Sequence, residues 1–234
     1  MTTNTRRACV VSVDTRDDIV IAALDDGKVN VLGFDMIAQL REALVIAVDH
    51  RVPLVIAGRD DVLSAGFDLA VVAEGGAGLV RLLDDAKELY LELLEAPVPV
   101  VVACTGHSIA AGALLLLCAD HRIGAPGAYT IGLKEVRLGM ALPAFALTLA
   151  AARLDRHHLI AATIFADAGD PHRAVRHGYL DDLADDPVSA AVSFARELSK
   201  LPSGPLGVTR RIAHRPLIET LRGQDLYPPT EDVA

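Results

Sequence analysis

The apolar positions change their period along the chain, and each change marks an element. Two short apolar segments, 8–13 and 19–24, flank a polar stretch at 14–18, as two strands joined by a turn would. From 34 to 48, Phe34, Ile37, Leu40, Leu44 and Val48 recur at helical spacing with Gln39, Arg41 and Glu42 on the other side, which predicts an amphipathic helix. The β-branched run 52–57 ends at Gly58 and Arg59, so it reads as a buried strand leading into a loop at 58–68. Past Gly75, Gly76 and Gly78 comes a helix at 79–95, stopped by Pro97 and Pro99. A second buried strand, 98–103, then runs through small residues at 105–111 into an apolar helix at 110–119, so strand, tight loop and helix occur twice. Brief strands are expected at 121–125 and 129–131, helices at 142–154 and 157–166, a helix and turn at 172–183, and a helix at 188–198. A last helix, 206–222, follows the linker containing Pro202, Gly204 and Pro205, and the tail from Asp225 is expected to fray. This alternation is α/β, open between a doubly wound sheet and a repeated supersecondary unit.

Composition narrows the classes. With 234 residues, 52% of them apolar, the chain has material for a sizeable core and lacks the signature of disorder. A net charge of -9 disfavours nucleic acid and anionic membrane surfaces as partners. Apolar runs such as 109–119 are too short to span a bilayer, which needs about 20 residues. Cys9, Cys104 and Cys118 cannot form a disulfide framework, and no cleavable leader is legible near Arg6 and Arg7, so a cytoplasmic protein is expected.

No P-loop, dinucleotide-binding glycine fingerprint, HExxH or paired CxxC occurs, so neither a metal nor a cofactor is expected. His157 and His158, beside Arg153, Asp155 and Arg156, read as a solvated helix start rather than as ligands. Gly106-His107-Ser108-Ile109-Ala110 has the strand, G-x-S-x-small, helix pattern by which serine hydrolases present a nucleophile. Asp167 or Asp170 with His177 or His214 would complete a triad; the alternative is that small residues let a helix pack closely on a strand.

A second loop, Leu63-Ser64-Ala65-Gly66-Phe67-Asp68-Leu69, has no use in a hydrolase. Together the two loops resemble the crotonase, or enoyl-CoA hydratase/isomerase, superfamily. The resemblance covers most of the chain. It begins at Gly27-Lys28-Val29-Asn30-Val31-Leu32, similar to a "K-x-N-x-L" turn, and continues through 100–112. Further along, Cys118-Ala119-Asp120-His121-Arg122-Ile123 is similar to a "CDxRI" segment, and the stretch from Ala174 to Leu180, with Gly178, to an "A-x-x-x-G-L-V" helix end. The resemblance implies a crotonase-like spiral of repeated ββα units over 1–200, with a short C-terminal helical segment at 201–234. It also implies an acyl-CoA thioester as substrate and a homotrimer or a dimer of trimers.

The resemblance implies an oxyanion hole made by the backbone N–H groups of Ala65 and Ala111, with Lys28, Ser64, Gly66, Asp68, Gly112 and Leu114 as substrate-binding positions. An enolate oxygen needs such preorganised donors, and small residues let the thioester approach the backbone. Of the two glutamates that hydratases of this family use, the first falls at Leu114 and the second at Glu135. By composition alone Glu135, between Lys134 and Arg137, reads as a solvated ion-pairing residue. The motif match assigns it proton transfer instead. One glutamate with an oxyanion hole suffices to shift the double bond of a 3-enoyl-CoA to the 2-trans position, and Gly132-Leu133-x-Glu135-x-x-Leu138-Gly139 resembles the isomerase branch. A hydratase, a noncatalytic acyl-CoA binder and a serine hydrolase using Ser108 are the alternatives. For the CoA phosphates, Lys28 ranks first, before Arg59 and Arg210 or Arg211.

Overall fold

The β-branched runs become the middle of a six-stranded sheet because both of its faces are covered. A computed structural model describes residues 8–16 and 18–225; the expectations for residues 1–7 and for the tail beyond Asp225 lie outside them. In chain order the elements are β1 (Val11–Thr15), β2 (Val20–Leu24), β3 (Val31–Leu32), α1 (Phe34–His50), β4 (Leu54–Ala57), β5 (Asp61–Ser64), β6 (Gly66–Phe67), α2 (Leu69–Glu74) and α3 (Gly76–Glu95). Then follow β7 (Val100–Cys104), β8 (Gly106–Ile109), α4 (Ala111–Leu117), β9 (His121–Gly124), β10 (Ile131–Gly132) and a 3-10 turn, Glu135–Leu138. The chain continues with α5 (Ala144–Arg153), α6 (Leu159–Ala162), α7 (Pro171–His177), β11 (Asp182–Leu183), α8 (Pro187–Ser199) and α9 (Ser203–Arg222).

The principal sheet has the order β1-β2-β4-β7-β9-β11. Beyond the antiparallel hairpin β1–β2, every pair in it is parallel, and each new strand joins the same edge. A doubly wound sheet would reverse direction at a switch point, so that alternative falls. Each circuit of the chain instead gives one strand to the principal sheet and the next to a three-stranded sheet, β10-β8-β5, before a helix closes it. These circuits, β4-β5-α3, β7-β8-α4 and β9-β10-α5, are the expected ββα spiral.

Alternate residues of the central strands enter different cores. Leu54, Ile56, Val100, Val102 and Cys104 join the main core under α1, α3 and α4, whereas Val55, Ala57, Val101 and Ala103 meet α8 on the other face. With both faces buried, the polar half of the usual alternation is lost, which is why these strands read as unbroken apolar runs. Burial pushes the Cys104 and Cys118 thiols up to about 12, so both remain protonated core residues. No described helix is long and apolar enough to cross a membrane.

The C-terminal helix is bound into this core. Ile218 and Leu221 are buried within it, and Arg210 is also buried. The Arg210 guanidinium donates to the Asp120 carboxylate at 2.8 Å, to Leu94 O at 2.9 Å and to Leu93 O at 2.7 Å. Arg210 is therefore corrected from a CoA-phosphate candidate to a structural tie. The other departures from the expected elements are short. The stretch 58–68 holds β5 and β6, the stretch 105–111 holds β8, residues 69–74 form α2, and the helix expected at 157–166 shortens to α6.

Candidate active site

Strands β5, β8 and β10 are parallel neighbours, so their C-terminal ends emerge at one edge. That edge brings together Ser64–Gly66, Ala110–Gly112 and the segment that carries Glu135. The joints are tight. A Cβ added to Gly106 would lie 2.0 Å from the Asp61 carbonyl, and one added to Gly112 would lie 2.6 Å from Ser64 O. Glycine at both positions lets the two loops close on each other. A Cβ on Gly66, which has φ +97°, would sit 3.5 Å from the Ala111 nitrogen.

Ala111 opens α4, so its N–H has no intrahelical acceptor, and it has no partner among the described residues. It is the open donor of the expected pair. Ala65 is not: its N–H donates to Val29 O at 2.9 Å, and the Gly66 N–H donates to Ser64 Oγ at 3.2 Å. The expectation of Ala65 as oxyanion donor is corrected on that ground, because a committed N–H cannot serve a ligand without breaking its own bond. Ser64, fully buried, holds the loop from inside, and Asp68 caps α2 by accepting from Ala70 N at 2.9 Å.

The turn into α4 is strained at Ala110, with φ 52° and ψ -123°. An L side chain there costs about 1–3 kcal/mol, only partly offset by the greater freedom glycine has in the unfolded chain. Ala110→Gly is expected to stabilise the fold by about 1 kcal/mol and raise the melting temperature by about 2–4 °C. An unchanged or lower melting temperature would refute the strain.

The strain falls on Ala110 and not on Ser108, unlike a nucleophile elbow. Ser108 is fully buried, and its Oγ has no hydrogen-bond partner among the described residues. His177 faces Asp167 at 3.8 Å, and His214 bonds Leu94 O at 2.9 Å. Asp170 caps α7 by accepting from Arg173 N. With no base on its hydroxyl, Ser108 is corrected from a candidate nucleophile to a buried strand residue.

Glu135 begins the 3-10 turn after β10, and Ala110 N–H bonds Gly132 O at 3.3 Å just upstream. Its Oε2 is buried without a hydrogen-bond partner among the described residues. Burial raises its carboxyl above the ordinary glutamate range, against a downward pull from the N–H groups of Glu135 and Lys134. It is thus not the solvated ion-pairing residue that composition alone suggests. The neighbouring Arg137 turns to Ala166 O at 2.8 Å instead. Tyr90 is coupled to both the glutamate and Ala111: its hydroxyl donates to Ala111 O at 2.8 Å, and the Glu135 charge adds to the burial that raises its phenol. Sequence reasoning missed Tyr90, because a tyrosine in an apolar helix face reads as core. Leu114, on the first turn of α4, is buried hydrocarbon.

Lys28 stands exposed on the turn after β2, and its ammonium has no partner among the described residues. Asp26 builds that turn by accepting from the N–H groups of Lys28, Asn30 and Val31, which pull its carboxyl down against the effect of partial burial. Arg59 braces it by donating to Lys28 O at 2.7 Å.

The comparisons with known proteins bear on the family and the fold. The family described as enoyl-CoA hydratase/isomerase matches residues 14–220. The structure of an enoyl-CoA hydratase/isomerase family protein from Pseudomonas syringae is 33% identical with a TM-score of 0.88, covering 91% of this chain and 94% of that one. An enoyl-CoA isomerase of Mycobacterium tuberculosis, solved without ligand, is 38% identical with a TM-score of 0.85 at the same coverage. The mouse mitochondrial enoyl-CoA delta isomerase 1 is 27% identical over 164 residues, which are 68% of this chain and 57% of that protein. The chain thus spans little more than half the length of the first curated relatives it matches.

Proposed function

Because the chain belongs to the enoyl-CoA hydratase/isomerase family, we propose that it shifts the double bond of a 3-enoyl-CoA to the 2-trans position, with Glu135 as its single acid–base group. The observation that carries this reading is the buried, unpartnered Oε2 of Glu135 at the strand edge where the Ala111 N–H is open. The thioester oxygen accepts from Ala111 N–H. The Ala65 and Gly66 N–H groups are engaged and Phe67 belongs to the β3–β6 ladder, so Ala111 is the one donor this reading assigns. Glu135 removes a proton from C2, the electron pair spreads into the C3–C4 double bond and onto the oxygen, and the same carboxyl returns the proton at C4. A carboxyl raised toward neutrality is better matched to giving that proton back than an ordinary glutamate. Leu114 supports isomerisation over hydration, because hydrocarbon cannot activate water.

The exposed Lys28 ammonium fits a CoA phosphate. The exposed Val136, Leu138, Met140, Ile164 and Phe165 fit a face covered by further copies in a homotrimer or dimer of trimers. The purified protein should be incubated separately with 3-enoyl-CoA and 2-enoyl-CoA, and the products separated by mass and retention time. Interconversion at constant mass is the expected result. Gain of one water would replace this reading with hydration, and binding without product would replace it with a noncatalytic role.

A further inference from the structure

Tyr179 is fully buried, outside the reaction described above, and its hydroxyl makes two hydrogen bonds. It accepts from Leu133 N at 3.3 Å and so must send its own proton to Ala162 O, also at 3.3 Å. The ring edge packs on β10 where the chain has no side chain: a Cβ on Gly132, at φ +135°, would lie 3.3 Å from Tyr179 Cε2. Upstream, Ile131 is held on both sides, by Ser108 of β8 and by Gly169, with which it exchanges bonds of 2.9 and 3.2 Å. Downstream, among the described residues, Lys134 O and Glu135 O accept from within their own turn, from the N–H groups of Leu138, Gly139 and Met140. Among the described residues the Leu133 N–H is therefore the last hydrogen bond from this segment to the body of the protein before the glutamate, beside the Leu133 side chain buried in the main core.

We infer that Tyr179 is a positioning residue for Glu135, its hydroxyl fixing the Leu133 peptide between α6 and β10 so that the carboxylate two residues on stands in one place. The N–H groups that lean on the carboxylate, those of Lys134 and Glu135, follow directly from that pinned peptide. Facing Glu135 from other elements are the phenols of Tyr90 and Tyr179, both sensitive to its charge, while Lys134 and Arg137 flank it on its own segment. The kinetic part of this inference rests on the isomerase reading; the positioning itself does not.

The test is Y179F, compared with the wild-type protein in two ways. In the 3-enoyl-CoA assay, kcat should fall about 10- to 100-fold with KM little changed, since misplacement of a catalytic group by about 1 Å can cost 10²-fold. The acidic limb of the pH–rate profile should move to lower pH, because a freed Leu133 N–H or admitted water relieves the carboxylate's desolvation. The second readout needs no activity: glutamate labelled with 13C at Cδ, assigned through E135Q, gives the Glu135 titration directly, and its midpoint should fall in Y179F. An unchanged midpoint, or a rise, overturns the proposal. If the wild-type enzyme does not isomerise, the reaction assigned above fails while the carbon titration still tests the positioning. Should Y179F not fold, the wild-type protein suffices: the Leu133 amide and Tyr179 Cζ resonances should titrate with the Glu135 midpoint, and flat traces overturn the proposal.

Discussion

Glu135→Gln is expected to reduce 3-enoyl-CoA isomerisation by about 10⁴-fold while leaving acyl-CoA affinity essentially intact. The size follows from the number of steps the group serves. A positioned acid–base group supplies about 10²–10⁴-fold to one proton transfer, and in the proposed reaction one carboxyl performs both. Binding should survive because Gln keeps the shape and, in the proposed reaction, backbone holds the thioester oxygen. The wild-type pH profile of kcat/KM should fall on an acidic limb displaced above the ordinary glutamate range, since the base works as carboxylate and burial raises its pKa. The same burial has a stability consequence of opposite sense. Above the raised folded value the carboxylate is charged and its desolvation costs stability; that cost fades as pH falls through the folded value and is gone below the unfolded one. Gln carries no such cost, so E135Q should melt higher than wild type at neutral pH, with the difference closing in acid. Full activity in E135Q would remove the glutamate from the mechanism, and a difference in melting temperature that widens in acid would contradict its burial.

The large elements were legible because their signals are long. The helical period at Phe34, Ile37, Leu40 and Leu44 and the runs 52–57 and 98–103 placed α1, β4 and β7 within a few residues of where they lie. Strands β5, β6 and β8 read as loops in the sequence, because two to four residues carry no measurable period, and they exist only by pairing with partners far along the chain. The Glu135 side chain was found through its motif, not its neighbourhood: Lys134 and Arg137 suggest a solvated run, and only the fold shows Arg137 turned away and Oε2 buried. Ala65 was misread for a related reason. Spacing locates a loop but does not say which of its N–H groups the turn has already used, here that of Ala65 on Val29 O. Tyr90 and Tyr179 were invisible because their role lies in where one hydroxyl bonds, and both rings otherwise read as core.

The close approach at Gly112 yields the other large expected effect. Gly112→Ala is expected to lower kcat/KM by about 10²–10³-fold, the cost of losing one oxyanion donor. Gly112 has an ordinary backbone conformation, so the substitution tests space alone. The new Cβ would fall 2.6 Å from Ser64 O and 2.9 Å from Ser64 Cβ. Ser64 cannot yield easily: it is fully buried, its Oγ accepts from Gly66 N–H, and its strand is paired to β8. The clash must therefore part the two loops, carrying the Ala111 N–H away from its place opposite Gly66. Overpacking of this kind costs typically about 1–3 kcal/mol, so a folded protein with a somewhat lower melting temperature is expected. Gly78→Ala is the matched control, since a Cβ there meets nothing within 4 Å and Gly78 lies in the first turn of α3. It should keep wild-type kinetics and be no less stable. If G112A retains full activity while folded, the contact between these two loops does not hold the oxyanion donor, and Ala111 loses its assigned part in the reaction.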